Sequence, residues 1–495
     1  MTYTPPEDES ADFLESKIED INLSTKIAYG AGDLGSAITA NILVFYLSYF
    51  LTNVAGMSAG LAGSVRMIGG IWDAVNDPVV GVLSDRTRSR WGRRYPWMIF
   101  GAVPLGMFFF LQWLVPSFSP DPQTNQWWLF CYYIVISILF NTAYTAINLP
   151  YTALTPELTQ DYHERTSLNS FRFTFSIGGS ILSLILAQII FSVVANPAQK
   201  YLILGGICAI ISVLPTYWCV WGTKDRAQRV LEYRLAENAA ANIPEEHSES
   251  LPFLEQLRLA FSNRPFLFVI GIYLASWLAV QTTAAIIPYF VTSWMKLPES
   301  ASAQVALAVQ GTALLMLFVW AKVSQRFGKK AVYFMGMGLW IIAQAGLLFL
   351  QPGQVTLMYI FAVLAGFGVS TAYLVPWSMI PDVIELDELQ TGQRREGIFY
   401  GFMVLFQKIG LALGLFVVGL VLESSGFKPT LAGQAIPIQP ESALLAIRIA
   451  IGPFPTISLI AGLVLAYFYP ITREYHAEIM LKLRERRLQN QSTNQ

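Results

Sequence analysis

The sequence predicts an all-α membrane protein of twelve transmembrane helices arranged as two six-helix bundles. Three observations lead there. The composition is too apolar for water on all sides, twelve runs are long enough to cross a bilayer, and a hydrophilic stretch divides the chain into halves that echo each other. Of 495 residues, 54% are apolar and only 13% charged, against about 25% charged in a soluble domain. The net charge of -1 points to neither a nucleic-acid partner nor an acidic ligand surface. Cys131, Cys208 and Cys219 all lie in apolar runs, so they read as small apolar residues without a disulfide framework.

Residues 1–25 are acidic (Glu7, Asp8, Glu9, Asp12, Glu15, Glu19 and Asp20) and lack an apolar core. They read as a cytoplasmic tail rather than a cleaved signal. A helix crosses a bilayer with about twenty apolar residues. Runs 26–52, 60–84, 95–115, 127–152, 169–195 and 200–222 make a first bundle over 26–222. Residues 223–264 are mixed in charge and partly helical in pattern, a cytoplasmic linker. Runs 265–294, 303–325, 331–351, 354–381, 398–423 and 442–470 make a second bundle over 265–471, followed by a tail over 472–495.

Lys and Arg gather in alternate loops: Arg86, Arg88, Arg90, Arg93 and Arg94 after span two, Arg326, Lys329 and Lys330 after span eight, and Lys482, Arg484, Arg486 and Arg487 in the tail. The opposite loops hold little beyond Lys200, Lys296 and Lys428. The positive-inside rule then places both termini in the cytoplasm, for a multi-pass protein of the plasma or inner membrane. The halves match in detail. "SDRTRSRWGRR" after span two is echoed by "SQRFGKK" after span eight, and "LPYTALTPELTQDYHERTS" after span four by "VPWSMIPDVIELDELQTGQRREG" after span ten. Such a parallel repeat is the sequence trace of the major facilitator fold, with a site between the halves at the midplane.

Charges at that depth are costly and face the bundle interior or a wet cavity. The candidates are Asp33 in span one, Asp73 and Asp77 in span two ("IWDAVNDP"), Arg172 in span five and Lys408 in span eleven. Asp73 and Asp77 are four residues apart and share one helical face, with Asn76 beside them. Two ionised carboxylates so close repel unless a cation joins them or one takes a proton. Span four supplies a polar stripe at helical spacing, Asn141, Thr145, Asn148 and Thr152. If spans two and four are neighbours, Asp73, Asn76, Asp77 and Thr145 offer the oxygen donors a hard cation prefers. Lys408 is then the internal counter-charge that holds the acids when the ion is absent. Polar residues also join helices by hydrogen bonds, and Asn141 reads that way. Asp85 and Arg86, with the arginines after them, suggest a cytoplasmic gate latch.

"KIAYGAGDLGSA", "IWDAVNDPVVGVLSDRTRSRWGRRYPW" and "PWSMIPDVIELDE", with a lysine in span eleven, resemble the glycoside–pentoside–hexuronide:cation symporters from Lys26 to about Pro470. The resemblance implies the major facilitator fold and sodium-coupled uptake, with sodium as coupling ion and no other cofactor. It implies a cation site at Asp73, Asn76, Asp77 and Thr145, the span-eleven lysine at Lys408 and a substrate-side arginine at Arg172. Tyr144 matches the tyrosine before the cation threonine. The sugar site departs from the pattern: Ala37 and Asn148 stand where the best-known member has acids, Thr152 where it has a tryptophan and Gly70 where it has an arginine. "YLVPWSMIPDVIE" and "RFGKKAVY" are also similar to the sodium-dependent lysophosphatidylcholine symporters. The expectation is a monomeric symporter of a sugar, glycoside or related small polar solute coupled to sodium. Lysophospholipid as solute and a proton as coupling ion are the alternatives. An enzyme is not expected: His163, His247 and His476 lie in loops or the tail, and no nucleophile elbow or metal-ligand spacing appears.

Overall fold

The computed structural model describes residues 21–159, 162–240, 253–392, 395–430 and 437–493. The acidic tail is therefore outside the described residues as far as residue 20, and so is 241–252 of the linker. The described residues form helices and no strand. The first half runs α1 (Leu23–Asn53), α2 (Ala59–Arg86), α3 (Tyr95–Leu111), α4 (Pro122–Thr152), α5 (Tyr162–Val193) and α6 (Pro197–Ala240). The second half runs α7 (Arg264–Trp294), α8 (Glu299–Phe327), α9 (Lys329–Phe349), α10 (Val355–Thr391), α11 (Glu396–Ser424) and α12 (Glu441–Phe468).

Ten of these helices are long and apolar enough to cross a membrane. The other two are α3, which is shorter, and α2, which carries Arg66, Asp73 and Asp77 inside it. Helix starts are fixed by capping side chains that accept otherwise unpaired backbone N–H groups. Asn22 accepts from Thr25 at 2.8 Å, Asp121 from Thr124 at 2.8 Å and Asn263 from Phe266 at 3.0 Å. The sixth span does not end at 222 as its apolar run does. α6 continues to Ala240, because "TKDRAQRVLEYRLAENAA" is rich in strong helix formers. The tail after Ile471 is likewise helical, over Arg473–Thr493.

Within the first half, α1 packs on α5 and α6, and α4 on α2 and α3; within the second, α7 packs on α11 and α12, and α10 on α8 and α9. The halves meet through α2 on α11 and α5 on α8, a pairing that the internal repeat exchanges. At the α2–α11 crossing a Cβ on Gly419 would lie 2.6 Å from the Ala59 carbonyl oxygen and 2.9 Å from Gly63 Cα. Only glycine lets the two backbones come this close. α1 and α7, equivalent in the repeat, each contain a π-helical turn, Leu43–Leu47 and Phe290–Trp294.

Bonds between the halves gather at the end opposite the basic loops. Thr52 and Tyr289 share a hydrogen bond of 2.8 Å, Gly60 N–H donates to Glu423 at 2.9 Å, and Thr430 N–H donates to the Thr52 carbonyl at 3.1 Å. Lys200 and Tyr201 at the start of α6 both reach Glu299 at the start of α8. At the basic end, among the described residues, ion pairs stay within one half. Lys26 pairs with Glu164 at 3.0 Å, Lys329 with Asp382 at 2.7 Å and Arg395 with Asp387 at 2.7 Å. Among the described residues, the bonds between the halves therefore mark the end opposite the basic loops as the bonded one.

Candidate functional site

The acid pair lies at mid-height between the halves. α2 turns Asp73 and Asp77 toward both α4 and α11. Thr145 of α4 places its hydroxyl 3.1 Å from Asp73 Oδ1 and 3.0 Å from Asp77 Oδ1. With one hydrogen it donates to one carboxylate at a time. Lys408 of α11 places Nζ 2.8 Å from Asp73 Oδ2 and 2.6 Å from Asp77 Oδ2. Each carboxylate thus gives one oxygen to the hydroxyl and the other to the ammonium. Three of these groups belong to the first half and the lysine to the second, so the ion pairs also tie the halves together. The group has a net charge of minus one, two carboxylates against one ammonium. Asn76 is buried beside them and its amide nitrogen has no hydrogen-bond partner.

A second charged pair joins α1 to α5. Arg172 Nε lies 3.3 Å from Asp33 Oδ2, and its guanidinium lies 5.7 Å from the rings of Tyr151 and Phe173. Tyr151 OH donates to the Tyr29 carbonyl at 2.8 Å, which fixes the ring under the arginine. Along α4, Tyr144 is half-buried with its ring 5.9 Å from that of Phe140. Asn148 Oδ1 is buried without a partner. Thr152 donates to the Leu149 carbonyl of its own helix at 2.9 Å. Asn141 ties α4 to α2 by donating to the Gly69 carbonyl at 3.2 Å.

At the basic end, Asp85 pairs with Arg94 rather than with its neighbour Arg86, which is exposed. Arg94 also reaches Ser84 Oγ at 2.9 Å and Glu157 at 3.3 Å, and Arg93 reaches Glu157 at 2.7 Å. This cluster fastens the end of α2 and the start of α3 to the short helix Thr155–Leu158 that follows α4, inside the first half. The second half has a counterpart in Lys329, Asp382 and Glu385, where His476 lies 2.5 Å from Glu385 and 3.5 Å from Asp382. The sequence echo after spans two and eight is therefore an echo of ion pairs.

Sequence reasoning passed over Arg66, Glu299 and Arg448. Arg448 donates to the Leu348 carbonyl at 2.6 Å and lies 4.5 Å from the Trp294 ring. The signal for Arg66 was available, as a third charge within the apolar run of span two, seven residues before Asp73.

The sequence profile of the MFS/sugar transport family matches residues 28–473, which is nearly the whole helical body. The chain belongs to this family. Its relatives place it among the glycoside–pentoside–hexuronide symporters of the major facilitator superfamily, which are transporters and not enzymes. An uncharacterized symporter of Synechocystis is 53% identical over 95% of this chain and 98% of its own length. Sodium-dependent lysophosphatidylcholine symporter 1 of the mouse is 28% identical over 92% of this chain and 87% of its own. A putative sulfoquinovose importer of Salmonella typhimurium is 27% identical over 94% of each. The nucleoside transporter NupG shares the fold, with a TM-score of 0.64 at 14% identity over 91% of this chain and 100% of that one.

Proposed function

We propose that this symporter couples sodium entry to uptake of a sugar, glycoside or related small polar solute by alternating access. The observation that carries the reading is Lys408 bridging Asp73 and Asp77 from the opposite half. An ion entering among Asp73, Asp77, Thr145 and Asn76 competes with the ammonium for the same carboxylate oxygens. Ion occupancy therefore changes a bond between the halves, and a ligand that favours one arrangement shifts the population toward it. The donors are carboxylate, amide and hydroxyl oxygens, which suit a hard cation, and the mouse relative is named sodium-dependent. With the basic loops in the cytoplasm, the bonded end of the halves faces outward.

The name of the Salmonella relative supports a sugar as solute. The name of the mouse relative supports a second reading, a lysophospholipid. Ala37 and Gly70, standing where the resemblance has an acid and an arginine, favour the lipid because sugar-hydroxyl partners are missing there. The test is solute uptake into proteoliposomes under an imposed sodium gradient, an imposed proton gradient, or neither. Uptake should follow sodium. Equal accumulation with both gradients collapsed refutes symport, and accumulation driven by protons alone refutes the choice of ion.

A further inference from the structure

We infer that the solute carries an anionic group and that Arg66 receives it, an inference that rests on the symport reading and names its substrate class. Arg66 lies on α2 seven residues before Asp73, about 10 Å along the helix axis. Positions 66, 70, 73 and 77 fall at spacings of four, three and four, so they share one face. That face is fixed by contacts: Asp73 and Asp77 meet Thr145 and Lys408, and a Cβ on Gly70 would strike the Ala412 side chain of α11. Arg66 therefore points between the halves, toward their bonded end, and not into lipid. It is half-buried, and its Nε is sealed from solvent without a hydrogen-bond partner. Among the described residues no carboxylate pairs with it. By contrast, Arg172 has Asp33, Lys408 has the acid pair and Arg448 has a backbone carbonyl.

A guanidinium keeps its proton at any accessible pH, so Arg66 stays a cation in a place where charge is costly. Its planar fork matches a carboxylate, sulfonate or phosphate better than a neutral hydroxyl. The charges of the core agree. Asp33, Asp73 and Asp77 balance Arg66, Arg172 and Lys408 when the carrier is empty. One sodium ion with one singly charged anionic group restores that balance, whereas either alone leaves an unpaired charge between the helices. A neutral solute would leave Arg66 unmatched and the sodium uncompensated. An ordinary structural role for Arg66, joining helices or reaching the membrane surface, would show a bonded partner or a lipid-side position, and neither is present among the described residues.

The test uses the full-length protein in nanodiscs and follows thermal unfolding in NaCl and in choline chloride. The probes are matched pairs: glucuronate and 6-sulfonated glucose against glucose, and the anionic lysophosphatidylglycerol against a monoacylglycerol of the same chain length. In sodium, the charged member of one pair should bind at least tenfold more tightly than its neutral partner, and which pair responds tells sugar acid from lipid. Arg66→Gln should erase that preference while keeping stabilisation by sodium alone, and Arg66→Lys should restore part of it. A wild-type protein that favours no charged probe overturns the inference, as does a preference that survives in Arg66→Gln. Should Arg66→Gln not fold, full preference retained in Arg66→Lys overturns the fork-shaped recognition. Charge preference without any sodium dependence would instead defeat the symport reading and leave the Arg66 assignment standing.

Discussion

Replacing Lys408 by alanine separates the two jobs this lysine has, neutralising the acids and tying the halves. In the native site Nζ lies 2.8 Å and 2.6 Å from two carboxylates, and Lys408, Asp73 and Asp77 are only 19%, 15% and 19% exposed. Breaking a buried pair by removing one partner costs about 3–5 kcal/mol, and residual hydration places this site near 3 kcal/mol. That penalty falls on the ion-free state, because a bound sodium supplies the missing positive charge. Sodium no longer has to displace a competitor, so its affinity should rise by about 100-fold at 1.4 kcal/mol per decade. Thermal unfolding of purified Lys408→Ala, titrated with NaCl at constant ionic strength, measures this. The variant should unfold earlier than wild type without sodium and recover most of the difference with it. Uptake should nevertheless fall, since ion binding no longer changes a bond across the seam. An unaltered sodium midpoint would refute the competition between ion and lysine.

Asp73→Asn and Asp77→Asn each leave one carboxylate balanced by Lys408, so sodium-stimulated uptake should drop at least tenfold; uptake that keeps its sodium dependence in both would count against the site. Glu299→Gln strips the partner from Lys200, each 10% exposed in the closed seam, at a cost of about 3–5 kcal/mol. A cysteine introduced at Thr52 should then be alkylated faster by an impermeant reagent from the outer face, and an unchanged rate would show that the pair does not hold that face shut. Gly419→Ala puts a methyl group 2.6 Å from the Ala59 carbonyl oxygen, so α2 and α11 must part. Overpacking of this kind costs about 1–3 kcal/mol, visible as slower uptake, and wild-type rates would contradict the close approach.

Ten of the twelve helices were legible because hydrophobic length is a direct consequence of the bilayer; α2 and α3, which fall short of that length or apolarity, were legible as weaker apolar runs. The acid pair was legible because spacing of four puts two side chains on one face, and the stripe through Thr145 follows from the same geometry. What spacing does not carry is which helices become neighbours across the repeat. Lys408 could be named as a counter-charge, but its position against both acids depends on α2 crossing α11. Asp85 shows the same limit: its adjacent arginine is exposed, and its partner Arg94 returns to it through the loop that follows Arg86. Arg66 was missed for another reason. It continues the face of Asp73 and Asp77 by one heptad, but its meaning lies in partners it lacks. The helical pattern read in the linker runs on directly from α6, because hydrophobicity reports the apolar run whereas helix propensity carries the coil beyond it.

The π-helical turns of α1 and α7 bear on how such a body can reshape itself. A turn closed by i→i+5 bonds holds a surplus residue and is a recognised place for a helix to bend. In α1 the turn lies between the shaft and Thr52, whereas in α7 it follows Tyr289 directly and closes the helix. Opening that face can therefore begin in the short tip of α1 that carries Thr52, pivoting on its own stem while the shaft below keeps its registry around the ion.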